Sequence, residues 1–171
     1  MSRLDDKGRE IYDLVSTNDN FLKEINKYFN WFSSVPDSCF KGIIPLLKPY
    51  YFSSRENHMI SMAFGAQLAN KKPCLFMQNS GLGLSLDAIF GLHELYNTGM
   101  VMFLSNRGEL KWEEDQHHFW GGITYGMLKS FDCEILDFDI DGLNVVKKAH
   151  DLYLKNKIVF IIVHRGNLDE I

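Results

Sequence analysis

The 171-residue chain has few cysteines, few prolines and no long apolar run. Its three cysteines, Cys39, Cys74 and Cys133, are odd in number and far apart, and no CxxC pair occurs. That spacing argues against a disulfide framework and against a zinc knuckle. No apolar stretch approaches the roughly 18 residues a membrane-spanning helix needs. The opening MSRLDDKGRE lacks the apolar core of a signal peptide. There is no basic run and no basic–aromatic stripe, and the formal net charge is -4, which makes nucleic acid a poor partner. The expectation is a cytoplasmic protein that engages neither membrane nor nucleic acid.

What is present is core-forming material. Apolar residues are 46% of the chain and charged residues 23%, enough to bury a core and too balanced for disorder. Ile11, Leu14 and Val15, then Phe21, Leu22, Ile25 and Phe29, follow helical spacing, so residues 1–29 read as an N-terminal helical segment restarted after STNDN. Strands are expected at 31–35, 50–54, 73–78, 99–105, 133–138 and 158–164. Helices are expected at 56–70, 83–97, 123–131 and 142–156. The polar stretch 106–122 reads as a long loop. Several strands are continuously apolar, which implies burial on both faces. Strand and helix alternate, which predicts a three-layer α/β/α unit with a mostly parallel sheet over 30–171. Right-handed crossovers then bring the strand C-termini to one rim, where ligands bind.

Three stretches on that rim can be read in two ways. In QNSGLG (78–83), Ser80 could cap a helix while the glycines adopt positive φ; alternatively the loop's backbone N–H groups could face a ligand. In SSRE, Ser53 and Glu56 have capping-box spacing, or Glu56 is a proton-exchanging carboxylate. In EEDQHHFWGG, His117 and His118 are solvated loop residues or site residues. With His93 and Glu94 nearby, a metal centre would need HExxH or similar spacing, and none is present.

Taken together, VPDSCFKG, RENHMISMAFGAQLANKKPCLFMQNSGLGLSLDAI, SNRGE and DQHHFWGGIT resemble the pyrimidine-binding domain of thiamine-diphosphate-dependent decarboxylases, in particular the phosphonopyruvate and sulfopyruvate decarboxylase group. The likeness covers about residues 30 to 165, and MQNSGLG is its most specific piece. It implies a catalytic role for Glu56 and His117. It implies cofactor contacts from Glu56, Gln78, Asn79, Ser80, Gly81 and Leu82, and substrate contacts from Asp37, Ser38, Asn79, His117 and His118. In such enzymes a carboxyl group bonds a ring nitrogen of the aminopyrimidine and favours the tautomer that takes the proton. Two features depart from the pattern: Asn57 follows the glutamate where relatives commonly carry a small residue, and two histidines stand where relatives carry one.

The resemblance also makes one absence informative. The family anchors the diphosphate through a divalent metal with a Gly-Asp-Gly segment and a downstream Asn, and DIDGLN (139–144) does not supply it. The implied arrangement is a split enzyme. Thiamine diphosphate would be shared with a diphosphate-binding, beta-type partner that holds Mg2+, and the two chains would form a hetero-oligomer. The implied activity is decarboxylation of phosphonopyruvate, sulfopyruvate or a similar anionic 2-oxo acid. A carboligase subunit and a non-catalytic module that keeps the fold are the alternatives.

Overall fold

The computed structural model describes residues 2–168. Two short strands, β1 (Ser2–Leu4) and β2 (Glu10–Tyr12), pair antiparallel. Helix α1 (Asn18–Ile25) follows, with the Thr17 hydroxyl capping its N-terminus. The chain then runs β3 (Trp31–Ser34), β4 (Tyr50–Phe52), α2 (Glu56–Leu68), β5 (Pro73–Gln78), α3 (Leu82–Ala88), β6 (Met100–Ser105), α4 (Asp115–Ser130), β7 (Glu134–Asp137), the single turn α5 (Phe138–Asp141), α6 (Asn144–Tyr153) and β8 (Ile158–Val163).

The six later strands form one sheet in the order β4-β3-β5-β6-β8-β7, and every pairing in it is parallel. The order reverses between β3 and β5, which creates a switch point where loops diverge and a crevice opens. The apolar strands are buried on both faces. Phe76, Phe103 and Ile161 face a core layer built with Phe21 and Ile25 of α1, Phe138, and Val145 and Val146 of α6. Their neighbours Leu75, Met77, Met102 and Ile162 face the opposite layer with Met59 and Ile60 of α2, Leu82 and Ile89, and Leu128 of α4. Each such side chain contributes on the order of 1.5–3 kcal/mol by leaving water. The expected three-layer α/β/α architecture is therefore what the chain forms.

Three local expectations are corrected. Residues 10–12 are a strand, and no helix covers 11–15. Backbone bonds to the far end of the chain, Tyr12 N–H to Arg165 C=O and Val15 N–H to Asn167 C=O, extend this segment. The polar stretch 106–122 is only partly a loop, because α4 begins at Asp115 and carries His117 and His118 on its first turn. The helix expected over 83–97 is α-helical to Ala88 and then widens into a π-helical stretch at Ile89–Glu94.

Candidate functional site

The C-terminal rim of the sheet gathers the loops after β3, β4, β5 and β6. Glu56 is the first residue of α2. The N-cap is Arg55, which makes no side-chain cap. Ser53 instead bonds locally, its hydroxyl donating to the Arg55 carbonyl at 2.8 Å. The capping-box alternative is thereby removed, because Glu56 sits in the wrong helical position to close one.

The Glu56 side chain lies against the turn after β5. A Cβ placed on Gly81 would sit 2.5 Å from Cγ of Glu56 and 2.7 Å from its Oε1. Gly81 has φ -75, so the glycine is needed for this close approach and not for backbone freedom. Among the described residues the Glu56 carboxylate has no hydrogen-bond partner. It is half-buried and faces the QNSGLG turn.

That turn is a short 3-10 segment, Asn79–Gly81, leading into α3 with no side-chain cap from Ser80. Asn79 is fully buried. Its Nδ2 lies 3.0 Å from Asn106 Oδ1, 2.9 Å from the Arg107 carbonyl and 3.1 Å from Thr124 Oγ1. Its Oδ1 is buried with no partner among the described residues. The network ties the β5 exit to the β6 exit and to α4. Gln78 is half-buried at the end of β5, level with Ser105 of β6. Leu82 is different: its side chain is in the core and its N–H bonds Asn79 C=O, so it offers the rim little.

Asp37 and Ser38 follow β3. The Asp37 carboxylate is buried, accepts from the Cys39 N–H at 3.2 Å and the Ser105 hydroxyl, and lies 3.5 Å from Arg107 Nη1. Ser38 is exposed, and its oxygen accepts from both Arg107 and Arg165, each at 3.1 Å. Arg107 also donates through Nε to Glu113, whose other oxygen takes the Gly108 N–H at 2.7 Å.

His117 is buried on α4, with Nδ1 unpartnered among the described residues. Burial and then the Arg107 charge push its pKa below the ordinary imidazole value, so it is neutral near pH 7. His118 is half-buried, with Nδ1 3.1 Å from the Gly108 carbonyl. The structure thus brings Asp37, Ser38, Gln78, Asn79 and Gly81 to one rim with Glu56 and the start of α4. Asn57 and His58 are exposed beside it.

Sequence reasoning missed Arg107, Glu113, His164 and Arg165. One signal for them exists. NRGE (106–109) and HRGN (164–167) each place an Arg-Gly pair just after an apolar strand, and both glycines, Gly108 and Gly166, have positive φ. Among the described residues no cluster of three or more His, Cys, Asp or Glu could hold a metal ion. No helix there is long and apolar enough to cross a membrane.

Comparison with known proteins decides what this rim is related to. The chain is 33% identical over 97 residues to the sulfopyruvate decarboxylase subunit alpha of Methanocaldococcus jannaschii, covering 54% of this chain and 56% of that one. Over that stretch the chain is similar to a sulfopyruvate decarboxylase alpha subunit. The corresponding subunit of Methanococcus maripaludis is 43% identical over 58 residues, 34% of this chain and 35% of that one. That of Methanothermobacter thermautotrophicus is 40% identical over 55 residues, 32% of this chain and 33% of that one. The similarity thus spans about half the length of the first relative and a third of the other two. No protein-family model matches the chain. This similarity agrees with the group indicated by MQNSGLG, VPDS and RGE. The term "subunit alpha" in the relatives' names implies a second kind of chain beside each of them.

Proposed function

We propose that the chain is the pyrimidine-side, alpha-type subunit of a split, thiamine-diphosphate-dependent decarboxylase for sulfopyruvate or a similar anionic 2-oxo acid, phosphonopyruvate included. In this reading residues 30–171 are the pyrimidine-binding unit. The observation that carries it is the Glu56 carboxylate, half-buried, without a partner among the described residues, and laid over Gly81 at the switch point of the sheet. A residue kept only for helix capping would have no reason to require a glycine opposite it.

The rim also fits an aminopyrimidine in other respects. Asn79 Oδ1 and His117 Nδ1 are buried polar atoms lacking partners, and such atoms cost free energy unless something meets them. When bound, thiamine diphosphate supplies the electron sink for the bond that breaks as carbon dioxide leaves. The role of Glu56 is to hold a proton opposite a ring nitrogen, a task for which a carboxyl group is suited and an amide is not. Gln78, Asn79, Ser80 and Gly81 form the wall beside it, with Leu82 supporting that wall from the core. Neutral His117 can accept or return a proton on the substrate side, with Asp37, Ser38 and His118 nearby. The diphosphate and Mg2+ are assigned to a beta-type partner carrying Gly-Asp-Gly and a downstream Asn, so that the active species is a hetero-oligomer.

Glu56→Gln tests this directly. In the assembled complex, hydrogen–deuterium exchange at the acidic carbon of the cofactor should slow by at least ~100-fold, the usual weight of a positioned acid or base. The unfolding free energy should change by less than about 1 kcal/mol. Near-normal exchange in a well-folded variant would contradict the assignment.

A further inference from the structure

Residues 2–15 have no part in the function proposed above, yet they are bound to the rim it uses. The loop from β6 to α4 carries Arg107 and leads directly to His117. Among the described residues, one backbone bond closes within 107–113, from Glu113 N–H to the Leu110 carbonyl at 3.0 Å. The loop's shape comes mainly from one side chain. The Glu113 carboxylate accepts from Gly108 N–H at 2.7 Å and from Arg107 Nε at 2.5 Å, and Arg107 reaches on to Ser38. A loop with so few backbone bonds opens easily unless something outside holds it. The hold is at Trp112, next to Glu113. Its Nε1–H donates to the Glu10 carbonyl of β2 at 2.7 Å, and the Arg9 guanidinium lies 4.0 Å from its ring centroid. Indole is the aromatic ring that attracts a cation best. Arg9 is itself aimed, because Asp5 accepts from its Nε at 2.8 Å and lies 2.7 Å from its Nη2. The hairpin is fixed in turn by Arg3 Nη2 on the Gly166 carbonyl at 3.0 Å and by Tyr12 N–H on the Arg165 carbonyl at 2.8 Å. On its inner side the loop rests on the first turn of α4: a Cβ on Gly108 would lie 1.9 Å from the His117 carbonyl oxygen. A shift of the loop is therefore a shift of His117.

We infer that the N-terminal hairpin is a clasp for the site, and that Trp112, gripped by Arg9 and the Glu10 carbonyl, is a positioning residue that sets Glu113 and through it Arg107 and His117. The grip is directional, an N–H on a carbonyl and a guanidinium on a ring, so it fixes where the loop sits as well as covering it. The clasp itself stands on this geometry; only its effect on turnover rests on the decarboxylase reading.

The test begins with the full chain alone. In Trp112→Ala the Gly108 amide should exchange with solvent at least ~10-fold faster than in the wild type, while the amides of α6 exchange as before. Burial and the Arg107 charge hold the His117 pKa down, against Glu113, Asp37 and Glu114, so release of the loop should raise it toward the ordinary imidazole value in an NMR titration of the ring. Trp112→Phe keeps a ring for Arg9 and should recover part of both effects. Arg9→Ala, changed on the hairpin side, should move both readings the same way by less, and it decides the matter if Trp112→Ala does not fold. Unchanged exchange and titration overturn the clasp. So does faster exchange spread evenly over the chain with the His117 titration unmoved, which is what a merely stabilising hairpin would give. In the complex with a beta-type subunit, kcat of Trp112→Ala should fall ~10-fold or more with thiamine diphosphate affinity retained, as a small misplacement far from the chemistry does. Wild-type kcat in a variant whose loop is loosened overturns the positioning role. A wild-type complex that releases no carbon dioxide sinks the decarboxylase reading and leaves the clasp standing on the first two measurements.

Discussion

A methyl group on Gly81 would press into the Glu56 side chain, yet the backbone there has an ordinary helical φ of -75. Gly81→Ala should therefore fold, with stability changed by less than about 1 kcal/mol, because a half-buried glutamate can swing aside. What it should lose is the placement of the carboxylate, and turnover of the assembled complex should fall by about the same factor as in Glu56→Gln. Turnover near wild type in Gly81→Ala, measured beside a chemical denaturation curve, would show that the close approach is incidental. The two histidines separate in the same manner. His117 is buried beside Arg107 with an unpartnered nitrogen, whereas His118 sits 3.1 Å from a loop carbonyl. His117→Ala should lower kcat at least ~10-fold with cofactor affinity nearly intact, and His118→Ala should cost little. Steady-state kinetics on both variants checks this, and a reversed order would transfer the role to His118.

At the scale of elements, the loop between β6 and α4 is tied down by ion pairs that span the chain. His164, just after β8, bonds Glu109 at 2.6 Å and Asp137 at 3.3 Å, and stacks on Tyr12 of the N-terminal hairpin at 4.4 Å. Burial alone would lower the His164 pKa, but the hydrogen bonds and charges of Asp137 and Glu109 outweigh it and raise the pKa to about 9. A raised histidine stabilises the fold fully below its unfolded pKa, near 6.5, and the contribution is lost as pH rises through about 9. The wild type should thus lose up to about 3 kcal/mol between those limits relative to His164→Gln. Urea unfolding of both proteins from pH 6 to 10 measures the difference, and parallel curves would contradict it. These ties also explain which elements could be read in advance. The sheet strands were legible because their apolar runs report burial directly. The helical spacing of Ile11, Leu14 and Val15 misled, because remote backbone bonds to residues 165–167 decide that segment's conformation. The start of α4 was hidden by Gly121 and Gly122, residues of low helix propensity. Gly121 is there because a Cβ would meet the Gly108 carbonyl carbon at 2.7 Å, so the glycine that obscures the helix is what lets it dock on the loop. The rim residues on the quoted motifs were legible individually. The convergence of Arg107 and Arg165 was not, since they are 58 positions apart and meet only through the β6–β8 pairing.

At the scale of the whole molecule, a fully parallel sheet covered on both faces delivers its loops to one rim. The N-terminal hairpin is bound to that same rim, with Trp112 donating to the Glu10 carbonyl at 2.7 Å and Arg9 over the Trp112 ring at 4.0 Å. The rim gathers a carboxylate, amides, a histidine and arginines, which the proposed function assigns to the pyrimidine and substrate sides of a site. No Gly-Asp-Gly segment accompanies them in this sequence. In the function proposed above, the chain is one half of a composite centre. The direct measurement is carbon dioxide release from sulfopyruvate with thiamine diphosphate and Mg2+, by the chain alone and after mixing with a sulfopyruvate decarboxylase beta subunit. Release is expected only from the mixture, and Glu56→Gln should abolish it. Turnover by the chain alone, or a mixture that stays inactive while both chains are folded and associated, would contradict it.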